Sequence, residues 1–372
     1  MGQRLFADLS VSLLSLCVTL ILLEIGFRLV SPQDPGFWDS QSIRRLIPTT
    51  PHFVENIPNG RADLTGVPVA INSYGLRGDE VTLPKPPRTF RIVAVGDSIT
   101  FGYGIPVSDT FVKILERRLN ERAHGEARYE VLNGATLGGA LNDYYHFLSQ
   151  KAAILQPDMI LIGLCLNDIL VYSESGSISE AGAEWGGQDW TLSRTLNSFL
   201  LRNSHLYMFH YARLKSFLYA SGIFDINKVQ GMNFLTMEAP SAYQEKAWES
   251  SLEMLSRIIA FCREHGYGIV VVVFPMQMQL SPAELQFYRN KYRLEIGNEV
   301  LSGEPQRRLQ TFAEASGVTL VNLLPAYRAY NPEDLYLRNR MVLADPVHPS
   351  VKGNRIAADE IFRVLWGKLG RD

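Results

Sequence analysis

Five short apolar runs, rich in β-branched residues, constrain this chain more than any other feature of its sequence. They are "RIVAV" (91–95), "YEVLN" (129–133), "DMILIGLCL" (158–166), "GIVVVVF" (268–274) and "VTLVNL" (318–323). Most are continuous instead of alternating, the pattern of strands covered on both faces. The segments between them carry helical periodicity. "TFVKILERRLNERA" (110–123) puts Phe111, Ile114, Leu115 and Leu119 on one face and its charges on the other. "YQEKAWESSLEMLSRIIAFCREHG" (243–266) does the same and stops on Gly266. This β-α-β-α order predicts an α/β fold: a doubly wound, mainly parallel five-stranded sheet with helices on both faces.

Three segments depart from that rhythm. Leu9 to Leu23 is uncharged throughout, and it spans a ~30 Å hydrocarbon core only if it continues through "EIGFRLV" to Val30. That continuation requires Glu24 and Arg28 to pair at i,i+4 near the interface. No A-x-A-like cleavage site follows, so residues 1–30 are expected to be an uncleaved signal anchor, a transmembrane helix. Positive charge on the two sides nearly balances, and the expected orientation exports the long domain that follows. Residues 31–88 read as a linker and small lead-in, with "GVPVAINSYGLRGDE" a short hairpin or edge strand and three prolines in "VTLPKPPRTF". Residues 89–372 form the main domain. Within it, 171–242 combine a polar loop with an aromatic helical stretch, an extra packed layer or a cap over the site.

Thirty-six basic residues against 38 acidic ones, with no basic block, exclude a nucleic-acid partner. Three cysteines are too few for a disulfide framework, and Cys165 and Cys262 read as buried free thiols. No Cys/His spacing suggests zinc, so no metal and no cofactor are expected.

Ligands of open α/β sheets sit at the carboxyl ends of the strands. In "RIVAVGDSITFGYG" Ser98 lies just past the first strong strand, as a nucleophile or as an ordinary turn residue. In "ADPVHPSVKGN" Asp345 and His348 stand three apart in a turn stiffened by Pro346 and Pro349. At that spacing a carboxylate can orient an imidazole and leave its other nitrogen for a serine proton. Ser350 is placed to cap the next helix. Asn167, in "IGLCLNDI", ends the third strand, where its amide can stabilise a developing oxyanion. In "VLNGATLGGALND" a backbone N–H of Gly138, or of Gly134 or Gly139, can do the same. Asp97 and Asp168 read as organisers of their loops. None of His52, His124, His146, His205, His210 and His265 has an acid at a useful spacing.

Together these blocks resemble the SGNH or GDSL-type serine hydrolase family, over about Arg91 to the C-terminus. The resemblance implies a flavodoxin-like three-layer domain. It also implies Ser98 as nucleophile and part of the oxyanion hole, completed by Gly138 and Asn167, with Asp345 and His348 finishing the triad. "INSYGLRGDE" is similar to a lead-in of membrane-anchored members. The asparagine block carries Cys165 where the family often has glycine. The expected function is a membrane-anchored esterase that hydrolyses an acyl ester, an O-acetyl group on a cell-surface carbohydrate. Alternatives are acyl transfer to a glycan, a lipid esterase or thioesterase, and a non-catalytic assembly subunit of the same fold.

Overall fold

A computed structural model describes residues 2–33, 42–47, 53–64, 66–124, 127–170, 194–221, 223, 242–292, 296–337 and 347–369. Each of the five apolar runs forms a strand. They are β5 (Thr89–Gly96), β6 (Arg128–Asn133), β7 (Met159–Cys165), β8 (Gly268–Phe274) and β9 (Thr319–Asn322), preceded by four lead-in strands, β1–β4. The sheet order is β6-β5-β7-β8-β9 and every pairing is parallel. This is the flavodoxin-like 2-1-3-4-5 order, which puts its switch point between β5 and β7.

In chain order the helices are α1 (Gly2–Val30), α2 (Ser98–Phe101), α3 (Phe111–Ala123), α4 (Leu141–Leu155), α5 (Arg194–Asn203), α6 (His205–Ser221), α7 (Ala242–Glu264), α8 (Pro282–Tyr292), α9 (Glu304–Ala315), α10 (Leu324–Arg328), α11 (Pro332–Leu335) and α12 (Val351–Leu369). The Thr110 hydroxyl caps α3 by accepting from Lys113 N. α3 packs against α12, and α4 against α7. Ile92 to Val95 are fully buried, as a strand in the middle layer requires. Cys165 and Cys262 are buried free thiols.

The lead-in is built onto the domain. β1 (Arg44–Ile47) pairs antiparallel with β2 (Phe53–Asn56), and β3 (Arg61–Leu64) with β4 (Val67–Ala70). The second hairpin therefore uses only the first part of "GVPVAINSYGLRGDE" and takes its partner from upstream. Asp63 Oδ1 accepts from Gly66 N at 2.7 Å and shapes that turn. Beyond Ile71 the Asn72 side chain accepts from Tyr74 N and Leu76 N, which coils the chain away from a strand. Ile43, Leu64, Val69 and Ile71 then form a second small core with Phe101, Tyr103, Ala135 and Leu137, at the edge where β5 and β6 end.

α1 carries its apolar side chains exposed, and Asp8–Val30 is long and apolar enough for a membrane span or a signal sequence. Glu24 and Arg28 pair at 2.8 Å, as the continuation to Val30 requires. Of the 171–242 segment, α5 and α6 are helical as expected, while residues 171–193 and 224–241 lie outside the described residues.

Candidate active site

Ser98 opens α2, a single turn that leaves β5 at its carboxyl end. Asp97 sits at the N-cap, its Oδ1 accepting from Ile99 N at 2.9 Å, and Gly102 closes the turn in the left-handed region at φ 86°. Arg77, from the lead-in, reaches under this turn and donates to the carbonyls of Gly102 and Ile105, both at 2.6 Å, and to that of Phe101. These include carbonyls that a short helix leaves unpaired at its end. Burial lowers the Arg77 guanidinium to about 10. Composition and spacing gave no sign of this role, because no acidic partner marks the residue.

The Ser98 hydroxyl meets His348 across 250 residues of sequence: Oγ and Nε2 are 2.8 Å apart. Several contacts fix that histidine. Leu337 N donates to His348 O at 2.9 Å, Ser350 N to Leu335 O at 2.8 Å, and Tyr103 packs its ring 4.7 Å from the imidazole. Ser350 Oγ accepts from Gly353 N at 3.3 Å, the capping role its position suggested. Asn354 accepts from Phe111 N at 2.9 Å and donates to the carbonyls of Pro349 and Ser350, tying the histidine turn to the start of α3. Sequence reasoning missed both Tyr103 and Asn354. Asp345 lies outside the described residues.

Because β5 and β7 are neighbours, Asn167 arrives beside Asp97. Its Nδ2 donates to Asp97 Oδ2 at 2.9 Å, and its buried Oδ1 has no partner among the described residues. One amide hydrogen is thus held by the carboxylate while the other is available. Asp168 accepts from Tyr144 OH at 2.8 Å and Cys165 N at 3.0 Å, the loop-organising role expected of it. Burial raises the Asp97 carboxyl, opposed by the bonds from Asn167 and Ile99 and by nearby His348. Burial, then the neighbouring Asp97 charge, raises Asp168 well above the usual range.

The three glycines of the second block separate by backbone use. Gly134 N bonds Ala94 O at 2.8 Å and Gly139 N bonds Thr136 O at 3.1 Å. Gly138, at φ 68°, makes no amide bond to the protein among the described residues, and it is exposed. A Cβ there would lie 2.6 Å from Arg44 Nη1, which donates to Leu137 O. Of the three, Gly138 is the one whose amide makes no protein bond among the described residues. Among the described residues no group of three or more His, Cys, Asp or Glu side chains is placed to hold a metal ion.

The remaining histidines are engaged elsewhere. His146 stacks on Phe53 at 4.1 Å, His265 stacks with Tyr267 at 5.7 Å, and His205 Nδ1 accepts from Gln33 N. His210 borders Phe27 and Phe209, His124 ends α3, and His52 lies outside the described residues.

Two consequences of this packing are measurable. A Cβ on Gly163 would stand 2.0 Å from Thr100 Oγ1, a buried hydroxyl with no partner among the described residues, and 3.3 Å from Thr100 Cβ. Gly163→Ala is expected to cost about 1–3 kcal/mol through overpacking, and Thr100→Ala in the same chain to recover most of it. Gly96→Ala should stay unrecovered, because Gly163 O at 2.9 Å and Thr100 Cβ at 2.5 Å also block it. Denaturant midpoints of the single and double variants decide between coupled and additive behaviour.

The second concerns Asp143, which accepts from Val54 N at 2.7 Å and Ala140 N at 2.9 Å and so joins the lead-in to the start of α4. Burial pushes its carboxyl up to about 7 in spite of those bonds. A carboxyl raised on folding binds its proton more tightly in the native state. Its stabilising contribution is therefore complete below pH ~4 and is lost as pH rises through about 7. The wild-type denaturant midpoint should fall more steeply over that range than that of Asp143→Ala. Parallel curves would remove the assignment.

A parallel sheet of this order, with a serine–histidine hydrogen bond at its carboxyl edge, has the layout of a serine-dependent acyl hydrolase. The chain belongs to the GDSL-like lipase/acylhydrolase family, whose model matches residues 94–356, and it is an ester-hydrolysing enzyme. No curated protein matches the chain. Solved structures similar to it include an acetyl xylan esterase (13% identity, 74% of this chain and 100% of that one, TM-score 0.41). Another is a lipase/acylhydrolase from Enterococcus faecalis (17%, 75% and 96%, TM-score 0.40). A third is an acetylxylan esterase variant from Geobacillus stearothermophilus (15%, 74% and 93%, TM-score 0.41).

Proposed function

We propose that this chain is a membrane-anchored serine esterase in which Ser98 is the nucleophile, His348 the general base and Asp345 the acid that orients His348. The observation that carries the reading is the 2.8 Å contact between Ser98 Oγ and His348 Nε2. With its proton on Nδ1, the imidazole accepts the Ser98 hydroxyl proton while Oγ attacks the ester carbonyl. The resulting oxyanion is met by the amide N–H groups of Ser98 and Gly138 and by the Asn167 amide. His348 returns the proton to the leaving alcohol, and the C–O bond of the ester breaks to leave an acyl-serine. Water, deprotonated by His348, then releases the carboxylic acid and restores Ser98.

The substrate class proposed is an O-acyl ester, an O-acetyl group on a cell-surface carbohydrate, with the catalytic domain on the outer side of the membrane. Support comes from α1, which would hold the site at the envelope. An active-site phosphonate that labels wild-type protein at Ser98, together with acetate release from an acetylated oligosaccharide, tests both halves. Labelling that lands on another residue sinks the chemistry. Labelling at Ser98 with only long-chain acyl esters cleaved would redirect the substrate.

A further inference from the structure

We infer that α5 and α6 form a lipid-binding face that lies in the membrane interface beside the anchor, with anionic phospholipid as its ligand. This rests on the anchoring reading above.

The tether sets the depth. Glu24 accepts from the Ser204 hydroxyl at 2.8 Å and from the backbone amides of His205 at 2.9 Å and Leu206 at 3.0 Å, so one membrane-helix carboxylate caps α6. Arg28 donates to Asn203 O at 2.6 Å, Gln33 N to His205 Nδ1 at 2.8 Å, and Phe27 meets Phe209 with ring centroids 4.6 Å apart. Glu24 lies six residues inside the end of the apolar stretch Asp8–Val30, about 9 Å at 1.5 Å per residue. Whatever depth α1 takes, the start of α6 follows it to the headgroup boundary.

The exposed surface of the pair suits that position. Leu196 and Phe199 on α5 are 43% and 59% exposed, and Phe217 on α6 is 63% exposed with Leu214 at i−3 also outward. Leu201 and Met208 are instead buried, so each helix keeps one apolar side for the protein and shows another outward. From 194 to 223 the chain has Arg194, Arg202, Arg213 and Lys215 and no acidic residue. A cationic helix pair with outward aromatic and leucine side chains is the composition of interfacial helices, which sit about 5–10 Å into the headgroup region. The positive charge selects anionic lipid.

The test uses the full chain reconstituted in phosphatidylcholine vesicles, with and without phosphatidylglycerol. An environment-sensitive fluorophore is attached at native Cys17 or, in a Cys17→Ser background, at Phe199→Cys, Phe217→Cys or Glu121→Cys. Cys165 and Cys262 are buried and stay unlabelled. The expected result is loss of emission at 199 and 217 to a headgroup-depth quencher, at 17 to an acyl-chain quencher, and at 121 to neither. The loss at 199 and 217 should deepen with phosphatidylglycerol, and equal loss in both compositions overturns the anionic preference. Quenching at 17 alone overturns the lipid face while leaving the anchor, and energy transfer between copies labelled at 217 would assign that face to a second chain instead. No quenching at 17 removes the anchoring reading, and the lipid face then stands or falls on positions 199 and 217.

Discussion

Ser98→Ala is expected to lower turnover of a short aryl ester by roughly 10⁴-fold or more, with thermal unfolding and secondary structure unchanged. The effect is large because, in the proposed mechanism, one oxygen is both the attacking atom and the partner of His348, from which it lies 2.8 Å. The fold should tolerate the change. Ser98 is only half-buried, and the turn it begins is held by the Asp97 carboxylate and by Arg77, neither of which needs the hydroxyl. Residual activity should match what binding and the oxyanion donors give without a nucleophile. Full activity in this variant would end the serine mechanism, whereas loss of both folding and activity would leave it to the labelling experiment.

The largest stability effect is expected at Arg91, far from the chemistry. Its side chain is fully buried at the start of β5, where the guanidinium donates to Glu130 at 2.7 and 2.8 Å, to Leu155 O at 2.7 Å and to Thr82 O at 3.0 Å. It thus joins β5, β6, the end of α4 and the segment before β5. Arg91→Met removes the partner of a buried carboxylate, a change that costs about 3–5 kcal/mol. Arg128, 3.1 Å from the other oxygen of Glu130, is mostly exposed and offsets little of that. Adding Glu130→Met should return part of the loss, because the stranded charge is then gone. A denaturant midpoint showing less than about 1 kcal/mol for Arg91→Met would place the pair among weakly contributing ion pairs.

The sheet was readable because its evidence is local. A run such as "GIVVVVF" carries its own statement of burial on both faces, and β8 occupies those same residues. Helix α3 was readable for the same reason: its apolar stripe and its Thr110 cap are both written within a few residues. The lead-in was legible only in part. "INSYGLRGDE" has strand-like residues at Ile71 and Leu76, but the Asn72 side chain takes the amides that a second strand would have needed. Arg77 carries no signal in the sequence and is a buried support of the Ser98 turn in space. Pattern reading cannot see that, because carbonyls from residues 101 to 105 take the place of an acidic partner.

By itself the sequence determined the strands, the layering, the apolar first helix with its Glu24–Arg28 pair, and a short roster of chemically competent residues. Those properties follow from periodicities of two and 3.6 and from side-chain chemistry within a turn or two. Only the tertiary structure decided which members of the roster meet. It joined Ser98 to His348, gave the Asn167 amide to Asp97, and, among the described residues, left the Gly138 amide without a protein bond. These are contacts made by chain crossings of up to 250 residues. Their geometry depends on strand order and on how loops are buttressed, quantities that no local window of sequence contains.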